Sequence, residues 1–253
     1  GRSAIGIKAA NLGVEYFTLI NDGTIRADRA IYAPSAPSEI FTSSYQQGVQ
    51  TIHNLAGGLI DGDVLLDRGD DVLENAGQII GLVSMGEGND RVDSAAGSID
   101  GVVDLGLGQD SFTGGAGTGA AGGGLGNDPM AGGNGADLLI GDGNDDWLTG
   151  GAGNDGLYGG AGNDTLDAAG GDIANGGSGD DVIRTADYSF AQIAGGSGRD
   201  AWELPGGARA IDLGVVAASG RIAGIEEIRL GSGKALTVHP GAVQAVSPAN
   251  TLT

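Results

Sequence analysis

Gly150-Gly-Ala-Gly-Asn-Asp155-Gly-Leu-Tyr158 runs directly into Gly159-Gly-Ala-Gly-Asn-Asp164-Thr-Leu-Asp167. The two nine-residue units share their glycines, their aspartate and a leucine two places after it. Each unit divides into a glycine-rich turn that ends on a carboxylate and a short apolar segment. That is one turn and one strand, so two units make one coil of a stacked solenoid. Aspartates recur outward from this pair: Asp70 or Asp71, Asp90, Asp110, Asp128, Asp146, Asp164, Asp181 and Asp200, in steps of 17 to 20 residues.

Stacking the coils turns this periodicity into a ladder of carboxylates. Strands in a sheet lie ~4.8 Å apart, and two unit charges at that distance repel by roughly 3 kcal/mol at an effective dielectric of 20. A cation between them relieves the repulsion. The flanking residues set its class: Gly86-Glu-Gly-Asn-Asp90, Gly106-Leu-Gly-Gln-Asp110 and Gly124-Leu-Gly-Asn-Asp128 are turns whose glycines expose carbonyl oxygens. Carbonyl and carboxylate oxygens together suit Ca²⁺ and disfavour soft metals.

The central stretch resembles the RTX (repeats-in-toxin) family, whose nonapeptide is G-G-x-G-x-D-x-U-x with U apolar. The resemblance runs through Gly132-Gly-Asn-Gly-Ala-Asp137-Leu-Leu139, Gly141-Asp-Gly-Asn-Asp-Asp146-Trp-Leu148 and the two opening units. A weaker unit lies at Ala168 to Ile173. Two more follow at Gly176-Gly-Ser-Gly-Asp-Asp181-Val-Ile183 and Gly195-Gly-Ser-Gly-Arg-Asp200-Ala-Trp202. It implies an all-β fold, a right-handed parallel β-helix or β-roll, in which turn carbonyls and aspartates hold several Ca²⁺ ions and the U residue points inward. Carried over, the ligand aspartates are Asp137, Asp146, Asp155, Asp164, Asp181 and Asp200. The same reading of the longer coils adds Asp90, Asp110 and Asp128, with turn backbone from Gly88, Gly108, Gly126, Gly135, Gly153, Gly162 and Gly179. The resemblance further implies type I secretion of an unfolded chain that folds outside the cell, as part of a large secreted bacterial surface protein.

The chain is expected to divide into coils of about 20 residues over 1–131, a nonapeptide β-roll over 132–203, and a β-rich cap or continuation over 204–253. Residues two after the aspartates form the inward stack: Val92, Phe112, Met130, Leu148, Leu166, Ile183 and Trp202. In the longer coils a second corner reads from Ala56-Gly57, Ala76-Gly77, Ala96-Gly97 and Ala116-Gly117, followed by an inward residue such as Leu59, Ile79 or Ile99. Only from about residue 132 does this second corner turn acidic, through Asp137 and Asp155, giving two ion rows where the earlier coils carry one. Leu19-Ile-Asn-Asp-Gly-Thr-Ile25 matches Leu73-Glu-Asn-Ala-Gly-Gln-Ile79, so the first coil begins near Ala4. Prolines cannot donate to a ladder, so 33–46 reads as an outward loop. Pro240 suits the first turn of a short helix over 239–247. The start at Gly1 without methionine and the end at Thr253 in mid-strand are expected of a piece of a longer chain.

Composition bounds the function. Of 253 residues 53 are glycine and only 4% aromatic, which favours thin stacked coils over a wide core. The formal charge of −21 argues against nucleic acid as a partner. No cysteine is present, so no disulfide framework or thiolate site exists. No apolar run reaches the ~20 residues of a membrane span. His53 and His239 have no ligand partners near them in sequence, and neither H-E-x-x-H nor G-x-S-x-G occurs. Gly151-Ala-Gly-Asn-Asp-Gly156 fits G-x-G-x-x-G, yet its carboxylate would repel phosphate. Trp147 and Tyr158 take outward positions, as a docking patch or as scattered surface aromatics. The expectation is a non-enzymatic calcium-binding structural protein at the cell surface: a segment of a surface-layer lattice, a filament or an adhesin, associating with itself or with a cell-surface glycan. The alternative is a non-catalytic calcium-binding module of a secreted enzyme or toxin.

Overall fold

A computed structural model describes residues 7–8, 16–32, 48–205, 211–212, 218–231 and 236–237. The expected loop at 33–46, the coil start near Ala4 and the helix at 239–247 lie outside the described residues. The chain divides into two compact units, Gly1–Asn134 and Gly135–Thr253. Each is a parallel β-solenoid.

In the first unit one sheet stacks Ile7–Lys8, Thr24–Tyr32, Leu59–Leu65, Val83–Glu87, Val102–Leu107 and Ala120–Leu125. The other stacks Tyr16–Asn21, Val49–Asn54, Val72–Asn75, Arg91–Asp93, Ser111–Thr113 and Pro129–Asn134. Two short strands, Gln78–Ile80 and Ser98–Asp100, pair with each other beside the first sheet, and the earlier of them also pairs with Leu59–Leu65. In the second unit the two ladders are Leu138–Gly143, Gly156–Ala161, Ile173–Ser178, Gln192–Ser197, Ile222–Ala223 and Trp147–Ala152, Thr165–Ala168, Val182–Thr185, Ala201–Leu204, Glu227–Leu230. All these pairs are parallel, as a chain that always returns in one sense requires. Ile211–Asp212 pairs with Leu236–Thr237 apart from both ladders.

Alternation along each strand sends its apolar residues inward, so each coil contributes to facing rows. In the first unit Ile52, Leu73, Val92, Phe112 and Met130 are buried and in register. In the second, Leu148, Leu166, Ile183 and Trp202 stack the same way, opposite Leu139, Leu157, Ala174 and Ile193. The expected inward row is thus the one the fold uses. The matched segments near residues 19 and 73 also share one register, because Leu19 pairs with Ile52 and Ile52 with Leu73. One inward residue differs. Ile60, not Leu59, pairs with Ile79 and is fully buried; Leu59 pairs with Gln78 and is only half-buried, because one step along a strand reverses the face.

Trp202 closes the inward row near the far end of the second unit. It is fully buried, meets Phe190 and Tyr188 edge-on, and donates its indole N–H to Thr185 Oγ1 at 2.9 Å. Trp202 and Phe190, with the half-buried Tyr188 against them, supply the bulk that paired aliphatics supply in the preceding coils of this unit.

Candidate metal centre

The aspartates that carry the periodicity are buried. Asp90, Asp110, Asp128, Asp137, Asp146, Asp155, Asp164, Asp181 and Asp200 all lie within 4% of full burial, and so do Asp71 and Asp172. A carboxylate is buried only with partners, and the first partner is the backbone of the neighbouring coil. The N–H of Asp71 donates to Asp90 Oδ1, that of Asp90 to Asp110 Oδ1 and that of Asp110 to Asp128 Oδ1, at 2.7–2.8 Å. Gln50 N–H extends this row by donating to Asp71 Oδ1. Between the two adjacent carboxylates left open by the sequence, Asp71 is therefore the ladder residue. Asp70 is exposed and accepts the N–H of Asn89 in an outer row.

The second unit holds two such rows. One joins Asp146, Asp164, Asp181 and Asp200, each N–H donating to the next Oδ1 at 2.8–2.9 Å. It ends where Asp200 N–H donates to Glu226 Oε2, a residue the sequence reading did not place in the row. The other joins Asp137, Asp155 and Asp172 at 2.9 Å.

Oδ1 is thus spent on the backbone, and Oδ2 is not. In Asp71, Asp90, Asp110, Asp155, Asp164, Asp181 and Asp200, Oδ2 is buried with no hydrogen-bond partner. Asp172 differs, because its Oδ2 accepts the N–H of Ala169 across a shortened turn. In the second unit the orphaned oxygens of Asp155, Asp164, Asp181 and Asp200 face the first glycine of their own turns, Gly150, Gly159, Gly176 and Gly195. A Cβ at Gly159 would lie 2.3 Å from Asp164 Oδ2, and one at Gly176 would lie 2.1 Å from Asp181 Oδ2. The turn interior is a cradle that any side chain at these glycines would fill.

The glycine backbone between coils completes the surroundings. Gly88 N–H donates to Leu107 O, Gly108 N–H to Leu125 O, Gly135 N–H to Ala152 O, Gly162 N–H to Ser178 O and Gly179 N–H to Ser197 O. The carbonyls of Gly88, Gly108 and Gly135 lie against the α-carbons of Gly108, Gly126 and Gly153 in the next coil, where a Cβ would come within 1.4–1.5 Å of them. Gly162 O abuts Gly179 in the same manner. Oxygen atoms therefore crowd the space between turns, and no side chain fits among them.

Electrostatics report the strain of this arrangement. Burial pushes Asp71 up to about 8, Asp90 to about 7, Asp110 to about 6 and Asp181 to about 7, the backbone hydrogen bond opposing and the neighbouring carboxylates adding to the rise. Burial likewise raises Asp128, Asp164, Asp172 and Asp200. A buried carboxylate oxygen without a hydrogen-bond partner, beside a second carboxylate, is chemically suited to a cation. Among the described residues no three His, Cys, Asp or Glu side chains converge. An ion here would have at most two carboxylates and would need backbone carbonyls to fill its shell, which suits a large, oxygen-seeking ion of flexible geometry.

Residues 122–157, 140–172 and 168–187 match the family described as RTX calcium-binding nonapeptide repeat (4 copies). This chain carries RTX calcium-binding repeats. Such repeats bind several Ca²⁺ ions and form a structural module typical of secreted proteins. No curated protein and no solved structure matches the chain.

The first unit has a further buried polar row that the sequence reading missed. Asn21 Nδ2 donates to Asn54 Oδ1 at 2.7 Å, Asn54 Nδ2 to Asn75 Oδ1 at 2.7 Å, and Asn75 Nδ2 to Ser94 Oγ at 2.9 Å. The amides also cap turn carbonyls of Gln78 and Ser98. An amide carries donor and acceptor, so this corner satisfies itself without a cation. The signal was Asn at the end of each matched strand, hidden by unequal spacing.

Proposed function

We propose that this chain is a secreted calcium-gated structural segment, folded outside the cell where Ca²⁺ is plentiful, and that Asp71, Asp90, Asp110, Asp128, Asp137, Asp146, Asp155, Asp164, Asp181 and Asp200 supply its carboxylate ligands. The observation that carries the reading is the set of buried Oδ2 atoms at Asp71, Asp90, Asp110, Asp155, Asp164, Asp181 and Asp200 that no protein group satisfies. Bound Ca²⁺ supplies positive charge and coordination to these oxygens. The protein's own part is to hold Oδ1 with the neighbouring backbone, so that Oδ2 is presented in a fixed place, and to keep side chains out of the turn with glycine. At an assumed ~1 mM Ca²⁺ and a weak site affinity of ~0.1 mM, each site stabilises by roughly 1.4 kcal/mol, and six sites by about 8 kcal/mol, the stability of an ordinary domain. At cytosolic calcium that contribution is absent, which keeps an acidic chain unfolded for export.

Within this reading, a role as part of a lattice, filament or adhesin at the cell surface is favoured over an accessory module of an enzyme. Among the described residues the buried aspartates are accounted for by the ladder and the turns, so their abundance does not call for acid–base chemistry. Circular dichroism during calcium titration, with magnesium as control, tests the proposal. A cooperative gain of β signal with calcium alone is expected, and a chain fully folded in excess chelator refutes it. Calcium-dependent growth of particle size by light scattering distinguishes the self-assembling role from the accessory one.

A further inference from the structure

The inward row Ile60, Ile79, Ile99 of the first unit ends abruptly. Ile60 and Ile79 are fully buried, whereas Ile99 is half-buried. The cause lies in the next coil, where the step between ladder aspartates drops from 20 residues (Asp90 to Asp110) to 18 (Asp110 to Asp128). No strand follows Ser98–Asp100 there. Its place is taken by Gly114-Gly-Ala-Gly-Thr-Gly119, which carries almost no side-chain bulk. Ser98 N–H donates to Gly77 O and Asp100 O accepts the N–H of Gly81, so both residues address the preceding coil. By the alternation of a parallel ladder, Ile99 turns its N–H and C=O the other way.

The missing strand leaves a cavity of about 340 Å³, within the range of small-ligand pockets. Its buried floor is Val103 and Phe112, with Ile99 beside them. Its rim is polar: Gln78, Ser98, Asp100 and Thr118. Ser94, buried at the end of the asparagine row, also faces it. Ser94 Oγ accepts from Asn75, which leaves its own hydroxyl proton to be donated.

We propose that this cleft binds one ring of a neutral, hydroxyl-rich sugar. The half-buried Ile99, set over Val103 and Phe112, receives the C–H face of such a ring, while an encircling carboxylate, amide and hydroxyls exchange hydrogen bonds with its edge. Asp100 is the single charged side chain in the lining, and the chain carries −21, so phosphate and uronate are repelled. A wholly apolar ligand would strand the rim groups. The inference deepens the proposed surface role by naming a class of partner, and it rests on that role for its setting.

Isothermal titration of the full chain in millimolar calcium tests it, using glucose, galactose, mannose and N-acetylglucosamine as probes and glucuronate as the anionic comparator. Circular dichroism of the same samples reports the fold separately, so a failure of calcium-driven folding is not mistaken for a failure of binding. At least one neutral probe is expected to saturate at one site, with glucuronate weaker. A Cβ added at Gly117 meets nothing within 4 Å, so Gly117→Trp covers the cleft without disturbing the backbone and is expected to remove binding. Asp100→Asn keeps the shape and is expected to weaken binding about tenfold, the worth of one charge-assisted hydrogen bond. No saturable binding by any probe to the folded chain overturns the proposal. So does an affinity that survives Gly117→Trp unchanged, or glucuronate binding as tightly as the best neutral sugar.

Discussion

Asp164 Oδ1 accepts the backbone N–H of Asp146 at 2.8 Å, while Asp164 Oδ2 is buried beneath Gly159 with no hydrogen-bond partner. One carboxylate thus does two separable jobs: it ties two coils together, and it offers an oxygen to a cation. The same division recurs at Asp90, Asp110 and Asp181.

Two substitutions at Asp164 separate these jobs. Asp164→Asn keeps an Oδ1 acceptor and removes the charge, so it is expected to weaken calcium-dependent stabilisation while leaving the chelated chain at least as stable as the parent. Asp164→Ala strands the Asp146 N–H as well, and is expected to cost about 1–3 kcal/mol more than Asp164→Asn in calcium. Urea denaturation of both variants with and without calcium checks the ordering; equal losses for the two would show that the Oδ1 bond contributes nothing.

Acid should act in opposite directions on the two states. Without calcium, carboxyls whose folded pKa lies above the ordinary 3.8 bind more protons folded than unfolded, so stability is greatest below about pH 4 and is lost as pH rises through about 6 for Asp110, 7 for Asp90 and Asp181 and 8 for Asp71. Calcium competes with those same protons. The half-saturating calcium concentration is expected to rise as pH falls from 8 to 6, and binding in weak buffer near pH 7 to release protons. A calcium midpoint independent of pH over that window would contradict the burial assigned to these groups.

Much of this architecture was legible because the carboxylates repeat at a nearly fixed step and each is followed two places later by an apolar residue. Register was less so. Asp70 and Asp71 are adjacent carboxylates, and Leu59 and Ile60 adjacent aliphatics; composition does not choose within either pair, and pairing to Asp90 and Ile79 does. Glu226 escaped because it closes its row from a segment without a glycine turn, using a longer side chain to reach Asp200 N–H. The asparagine row escaped because Asn21, Asn54 and Asn75 are separated by 33 and 21 residues, so no period announces them. Asparagine two or three places before a glycine also reads as an ordinary turn former.

That row satisfies the buried side chains of the first unit's second corner without a cation, so the corner is expected to be independent of calcium. Asn54→Ala removes the acceptor of Asn21 and the donor to Asn75, both buried. Its expected cost is about 2 kcal/mol, from two buried hydrogen bonds lost while Asn21 Nδ2 keeps Leu59 O and Asn75 Oδ1 keeps the N–H of Gly77, with the calcium midpoint of the aspartate turns unmoved. Asn54→Asp should be at least as harmful, since a carboxylate there faces Asn75 Oδ1 without a proton to give. Thermal unfolding in saturating calcium measures the cost, and a shifted calcium midpoint in Asn54→Ala would mean that the two corners are coupled.

The closest approach between coils sets the last test. Gly108 has φ of 138°, and a Cβ there would lie 1.5 Å from Gly88 O, a backbone atom that cannot swing aside. Gly117, by contrast, has open space around it. Gly108→Ala must therefore push two coils apart, which breaks the bond from Gly88 N–H to Leu107 O and moves Asp110 away from the N–H of Asp90. A loss of more than about 4 kcal/mol is expected, the range reserved for backbone strain combined with a broken buried network. Gly117→Ala is expected to stay within about 0.5 kcal/mol of the parent, as a surface change that touches nothing. Urea denaturation in saturating calcium compares the two. Similar stabilities for both variants would show that the spacing between turns is not held by glycine, and with it would fall the account of why no side chain stands between these carboxylates.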